Sequence, residues 1–344
     1  MSRKDYDELK DKFGLFFTTL YDRKINRLDA FILPEVKCYS SVNCQDYYDG
    51  GIHTIFGVKN FIKDFPKTDI FHAKIYNYIC RFNSGEAQQF AEVVVLAANV
   101  VQNMIQTFEC TIHCFHHWIR HKDSWMMDEI RMEFDRHCDD IGIFDKVFYF
   151  DNPKVGWHEG IRYPIVNAEF DSPWVRIPDA EDVLSEEEKI YHVFAQYAFG
   201  IDTLSFQLLP EILDDRVVST MPRNNTMNKR EWVTQLKYNR ARDRMWSHTG
   251  KMQDLKIEGD KASAVFYRMS GHRQRTHEYT YTKDNVNLEH ACAKYVMNFQ
   301  KDTDGNWKII QNTYYLGFVE LKAYDNEPYG NQFSDCLMKP KHKS

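Results

Sequence analysis

Ile32-Leu33-Pro34-Glu35-Val36 in the first half of the chain lies over Leu208-Leu209-Pro210-Glu211-Ile212 in the second, with the two prolines 176 positions apart. The same offset sets Tyr21 over Tyr197, Ile25 over Ile201, Leu28 over Leu204 and His72 over His248. Further along it drifts to 175, laying Gly85-Glu86-Ala87 over Asp260-Lys261-Ala262, and then to 182, laying Trp125 over Trp307. Insertions in surface turns produce such drift. Self-similarity at one long period marks a duplicated unit, and a chain of 344 residues has room for two domains.

Each half repeats one order of elements. Phe13, Phe16, Phe17 and Leu20, and Ile190, Val193, Phe194, Tyr197 and Ile201, recur at helical spacing and predict a long first helix with one buried stripe. A shorter helix is expected over 58–64 and over 229–236. Strands follow at 72–82, 87–101, 106–121 and 125–134, then at 248–258, 261–271, 275–282, 290–301 and 306–320, rich in Val, Ile, Phe, Tyr and Thr and separated by turns such as Asn83-Ser84-Gly85 and Asp304-Gly305-Asn306. Helices followed by an antiparallel meander are an α+β pattern. The reading is two tandem cone-shaped, cystatin-like domains, each a long helix packed in a curved antiparallel sheet, at 1–145 and 185–325. Residues 146–184, with Pro153, Pro164, Pro173 and Pro178, read as a linker laid over the surface, and 326–344 as a frayed tail.

A net charge of -6 and a pI near 6.2 leave no basic surplus for a phosphate backbone, so nucleic-acid binding is not expected. The basic stretch Lys237 to Arg244 reads as a solvated helix face. The charged N-terminus lacks an apolar leader core and no run spans a bilayer, which predicts a cytoplasmic protein without membrane contact. The eight cysteines fall six to two between the halves in no framework, as free thiols do in a reducing compartment. No Gly-rich phosphate loop and no Gly-x-Ser-x-Gly elbow is present.

Tyr197 and Asp202 stand five residues apart near the end of the second long helix, and His248 opens a strand 46 residues after the aspartate. In a helix-on-sheet cone the three can converge. A carboxylate on one imidazole nitrogen fixes the tautomer and raises the basicity of the other, as proton abstraction requires; a tyrosine hydroxyl can hold a leaving oxygen or polarise a carbonyl. Each residue also has an ordinary role, as core Tyr, helix-end Asp and satisfied polar His. The recurrence of Tyr and His at one offset is what lifts the set.

The run of a long helix with Tyr-Ala-x-x-Ile-Asp, Leu-Pro-Glu, a His opening a strand, Gly-Asp-x-Ala and Asp-Gly-x-Trp-Lys-Ile resembles the SnoaL-like group of the nuclear-transport-factor-two-like superfamily, over nearly all of 185–320 and more weakly over 5–138. Scytalone dehydratase, bile-acid 7α-dehydratase and hexachlorocyclohexane dehydrochlorinase belong to that group and run eliminations with an Asp-His base and no metal or organic cofactor. The resemblance implies that Asp202 orients His248, that His248 takes the proton and that Tyr197, a third catalytic candidate, occupies the helix position where the bile-acid enzyme has a Tyr. His272, Lys294, Tyr295 and Asn312 are candidates for substrate contact, His272 falling near a second acid or base position of some members. Asn312 stands where several lyases carry an Arg. In the first half Asn26 replaces Asp202, so Tyr21, Asn26 and His72 are expected to form a degenerate counterpart, because an amide cannot stabilise an imidazolium by charge.

Cys110, Cys114 and His116 share one face of a strand, and His113, His117 and His121 the other. Either trio could offer zinc an open site, but the spacing matches no structural zinc motif, so no metal is expected. The leading expectation is a cofactor-independent dehydratase, lyase or isomerase acting on a cyclic, largely apolar small molecule. A non-catalytic ligand-binding or assembly module is the alternative, and a polyketide cyclase using the same base is another. The two domains are expected to pair within the chain, with a homo-oligomer left open.

Overall fold

The computed structural model describes residues 2–42, 52–65, 67–102, 104–136, 165–179, 183–242, 247–269, 282–283, 286 and 288–323. The first half runs α1 (Arg3–Asp22), β1 (Ile32–Ser40), α2 (Thr54–Asp64), β2 (Ile70–Phe82), β3 (Glu86–Val101), β4 (Met104–His121) and β5 (Ser124–Arg136). A short α3 (Pro173–Arg176) follows. The second half runs α4 (Glu186–Asp202), α5 (Leu208–Ile212), β6 (Leu213–Met221), β7 (Asn225–Asn228), α6 (Lys229–Arg242), β8 (Gly250–Glu258), β9 (Lys261–Met269), β10 (Leu288–Lys301) and β11 (Trp307–Ala323). The sheets are ordered β1-β5-β4-β3-β2 and β7-β6-β11-β10-β9-β8. In each, only the pairing of the last strand with the early one (β1 with β5, β6 with β11) is parallel. This is the expected α+β architecture, built twice.

Both long helices start with a capping box, Ser2 with Asp5 and Ser185 with Glu188, which satisfies two free backbone N–H groups at each start. Their own-core stripes match in spacing: Leu9, Phe13, Phe16 and Leu20 against Ile190, Phe194, Tyr197 and Ile201. That match sets the helices 181 positions apart, not 176. β1 and β6 agree, since Ile32 pairs with Met127 and Leu213 with Ile309. The Leu-Pro-Glu similarity that fixed the 176 offset is therefore out of register: Leu33-Pro34-Glu35 lies in β1 and Leu209-Pro210-Glu211 in α5. Proline permits both, since β1 is an edge strand and Pro210 sits in a first helical turn. The other two offsets stand in register. Ala87 pairs with Trp118 as Ala262 pairs with Phe299, and Trp125 and Trp307 open equivalent strands.

One helix joins the halves. Every residue of α4 from Ile190 to Asp202 is buried. One side packs in its own sheet; the other, with Ala195 and Phe199, packs on the outer face of the first sheet. Phe199 stacks on Phe90 with ring centroids 3.9 Å apart and meets Phe115 and Trp174 at their edges. β3 is accordingly buried on both faces from Ala87 to Ala98, as a sheet covered on both sides requires. Residues 165–179 do not lie wholly over the surface as expected: Val166, Ala168 and Trp174 fill this junction, while Phe170 and Val175 are exposed. Strand 275–282 falls outside the described residues except for Thr282, as does the segment 326–344.

Candidate active site

Asp202 ends α4, and His248 lies two residues before β8, an edge strand of the second sheet. The Asp202 Oδ1 to His248 Nδ1 distance is 2.5 Å, and the His248 backbone N–H donates to Oδ2, also at 2.5 Å. Two contacts from one residue fix the orientation of the carboxylate. His248 is 3% and Asp202 5% exposed. Tyr197, one helical turn before Asp202, meets the His248 ring edge-to-face at 6.2 Å and also touches Trp232 and Tyr295.

This pairing depends on a close approach. Gly250 passes so near the Phe194 ring that a Cβ on it would sit 1.9 Å from Phe194 Cε1. Only glycine lets β8 settle against α4 here, and β8 carries His248 with it.

Burial pushes the His248 pKa down to about 4, helped by the positive Arg268 and resisted by Asp202, so the imidazole is neutral at neutral pH. Burial opposes charge on Asp202 too, but His248, His113 and Arg240 outweigh it and hold the carboxyl below its usual range. Burial raises the Tyr197 hydroxyl, which stays protonated and can donate. Arg240, 1% exposed, donates to the Asp202 backbone oxygen at 2.6 Å. The basic stretch on α6 is thus not wholly a solvated face: Arg240 caps the end of α4, where carbonyls lack helical partners.

Tyr295 faces the interior with Tyr197, its ring 4.7 Å from that of Tyr314. Lys294 alternates to the opposite face, over the half-exposed Tyr315, and does not join the set. Asn312 is buried on the interior side opposite Met297, with Nδ2 on Ser219 Oγ at 3.0 Å and Oδ1 without a hydrogen-bond partner among the described residues. The buried Trp232 Nε1 likewise has none among the described residues. His272 lies outside the described residues.

Tyr21, Asn26 and His72 do not converge. Tyr21 is 37% exposed and packs on Phe71, Asn26 is exposed, and His72 is half-buried in β2 opposite Leu96. By the own-core stripes Phe16 is the counterpart of Tyr197 and Tyr21 that of Asp202. Tyr76 opposite Glu92 and Lys251 opposite Tyr267 make Ala73, not His72, the counterpart of His248. A slip of one residue in a strand exchanges its faces.

The β4 cluster divides between the two faces of its sheet. Cys110, Cys114 and His116 are core, His116 lying between the rings of Phe13 and Phe16. On the other face His117 meets Asp128 and Glu86, His121 is exposed, and His113 sits between Asp135 (Nε2 to Oδ2, 3.1 Å) and Glu92 (Nδ1 to Oε1, 3.1 Å). Donor atoms of Glu92, His113 and Asp202 lie within 4.8 Å of one another, the grouping of metal-ligand type found among the described residues. Each already meets a protein partner, Asn77, Asp135 and His248 respectively. Burial and the Asp202 charge raise the Glu92 pKa to about 8, which makes it a neutral acid at neutral pH. Burial opposes charge on His113, but Asp135 and Glu92 outweigh it and hold the ring well above its usual pKa. Glu92 is one of the residues the sequence did not reveal. Its trace was a lone acid inside the apolar run of β3.

Residues 182–312 match the family model described as "SnoaL-like domain". The second half is a SnoaL-like domain. Solved structures similar in fold include a Kribbella flavida protein (11% identity, 38% of this chain and 90% of that one, TM-score 0.34) and a Novosphingobium aromaticivorans protein assigned as a scytalone dehydratase (11%, 39% and 84%, 0.32). The LinA protein is similar at 11% identity over 38% of this chain and 84% of that one, with a TM-score of 0.30. No curated protein matches the chain in sequence. The SnoaL-like domain holds Asp202, His248 and Tyr197 within one stretch of chain. Among the described residues no helix is long and apolar enough to cross a membrane.

Proposed function

We propose that the SnoaL-like domain is a cofactor-independent lyase, a dehydratase or a related isomerase, acting on a cyclic, largely apolar molecule. The observation that carries this reading is the 2.5 Å contact of Asp202 Oδ1 with His248 Nδ1 inside the domain. Asp202 accepts from Nδ1–H, which leaves the Nε2 lone pair as the base. His248 takes a proton beside a hydroxyl, the imidazolium is stabilised by the Asp202 charge, and Tyr197 donates to the departing or enolising oxygen. Tyr197, Trp232, Tyr295 and Tyr314 supply flat apolar walls suited to a ring system. Asn312 Oδ1 and Trp232 Nε1 offer one acceptor and one donor for its polar groups. The SnoaL-like resemblance adds lyases that work in this way.

The test is turnover and thermal shift with a panel of cyclic hydroxy-ketones, comparing wild type with Asp202→Asn. The expected result is binding by both and a turnover loss of about 10²-fold or more in the variant. Equal turnover would overturn the assignment of the base. The burial of both dyad residues favours a second reading, a ligand-binding or assembly module without catalysis. It predicts thermal shifts with no product from any compound.

A further inference from the structure

Asn77 is fully buried in β2 at a bulge, where pairing with β3 passes from Tyr76–Glu92 to Ile79–Phe90. Its φ of 52° is left-handed, a region Asn enters more readily than other residues with a side chain. The bulge turns its carboxamide out of the first domain and onto the second. Asn77 Oδ1 accepts from Gly250 N–H at 3.1 Å, and Nδ2 donates to the His248 carbonyl at 3.2 Å and to Glu92 Oε2. Bonding the C=O of one strand residue and the N–H of the next but one is what a neighbouring strand does in a parallel ladder. β8 is the last strand of its sheet, so one side chain stands where the next strand would begin. The Tyr191 hydroxyl reinforces the join, accepting from Asn77 N–H at 2.8 Å and donating to the Gly250 carbonyl at 3.1 Å.

Glu92 carries the contact on to the other member of the dyad. Its side chain is hydrogen-bonded to Asp202 and to Asn77, with His113 and then Asp135 behind it. The groups that face the dyad are therefore Glu92 and His113 from the first sheet, Arg240 from α6, Arg268 from β9 and Tyr197 from α4.

We propose that the first domain supplies positioning residues to the SnoaL-like domain: Asn77 fixes the backbone of His248, Glu92 fixes the carboxylate of Asp202, and the dyad is incomplete without the first sheet. The inference rests on the reading of this dyad as the site, but its geometry can be tested without a substrate.

The experiment is ¹⁵N-histidine NMR of the full chain across pH, with the His248 signals identified by His248→Gln. Wild type should show one neutral tautomer, protonated at Nδ1. Asn77→Gly removes the clamp while suiting the positive φ. It should mix the tautomers and move the His248 midpoint by about one pH unit or more towards its unperturbed value of about 6.5. Asn77→Ala adds backbone strain and should be less stable, with the same change at the ring. Glu92→Gln keeps a donor to Asp202 and should retain the wild-type signature, whereas Glu92→Ala should lose it.

A folded Asn77→Gly with the wild-type His248 spectrum would overturn the role of Asn77, as would a ring change confined to Asn77→Ala. Wild-type signals in both Glu92 variants would overturn the role of Glu92. If Asn77→Gly does not fold, the Glu92 pair decides. Altered ring signals in a protein whose wild type turns nothing over would uphold positioning and remove the lyase reading, so the two failures are distinguishable.

Discussion

The two halves share a framework and place their polar residues on opposite sides of it. In the first, Phe16, Tyr21 and Ala73 occupy the places of Tyr197, Asp202 and His248, and Phe13, Phe16 and Phe17 close the interior. Three of its buried polar residues, Asn77, Glu92 and Asp135, gather with His113 on the outer side of the sheet. In the second, the interior holds Tyr197, Trp232, Tyr295, Tyr314 and Asn312. The second half has a polar interior, and the first a polar exterior that meets it. A sheet face that is solvated in a lone domain has here become a second core.

The largest effect should come from breaking the join. Phe199→Ala removes the stack on Phe90 and the contacts with Phe115 and Trp174, and should cost about 4 kcal/mol in urea unfolding. A cost below about 1 kcal/mol would mean that the halves hardly support one another. Gly250→Ala comes next. The new methyl meets the Phe194 ring, so a loss of about 2–3 kcal/mol is expected, together with altered His248 signals in NMR.

His116 sharpens the contrast in the opposite direction. It is a buried imidazole in the apolar interior, with no well-formed hydrogen bond at either ring nitrogen among the described residues and only a weak contact with the Phe115 backbone, where the second half has Met297. His116→Met should raise the melting temperature, corresponding to a gain of about 1–2 kcal/mol, because an unsatisfied polar group is replaced by an apolar one of similar length. A loss would show that a partner for His116 has been overlooked.

The smallest effect is the pH profile of stability. Burial pushes His116 and His192 down to about 3 and His248 to about 4. The unfolded chain therefore binds more protons than the folded one below about pH 6.5, and stability should fall as pH falls towards 4. Glu92, raised to about 8, and His113, held above its usual value, act the other way. Their contribution is present at low pH and is lost as pH rises through their folded pKa values. The two trends balance near pH 6.5, to order of magnitude, where thermal unfolding should show its maximum. Glu92→Gln should flatten the alkaline side and, above about pH 4.5, steepen the acid side, because Glu92 carries its extra proton across both.

Much of this was legible in the sequence because it is carried by local pattern. Helical stripes, runs of β-branched residues and two Asp-Gly or Ser-Gly turns gave the order of elements in both halves. Asp202, Tyr197 and His248 were legible through the SnoaL-like resemblance. The register of the repeat was not. Leu-Pro-Glu is compatible with an edge strand and with a first helical turn, so its identity in the two halves carried no positional information. That error placed Tyr21, Asn26 and His72 in roles their positions do not support. Asn77, Glu92 and Arg240 stayed hidden for a different reason. Each acts through partners more than ten residues away, and nothing in the local sequence says which face of a sheet another domain will cover.

The proposed dyad lies in the second half, with no counterpart of Asp202 and His248 among the described residues of the first. Turnover of cyclic hydroxy-ketones by His248→Gln and His116→Met, with binding measured alongside, tests it most directly. The predicted result is a loss of about 10²-fold or more for His248→Gln with binding retained, and wild-type turnover for His116→Met. Wild-type turnover in His248→Gln, or its loss in His116→Met, would contradict the account.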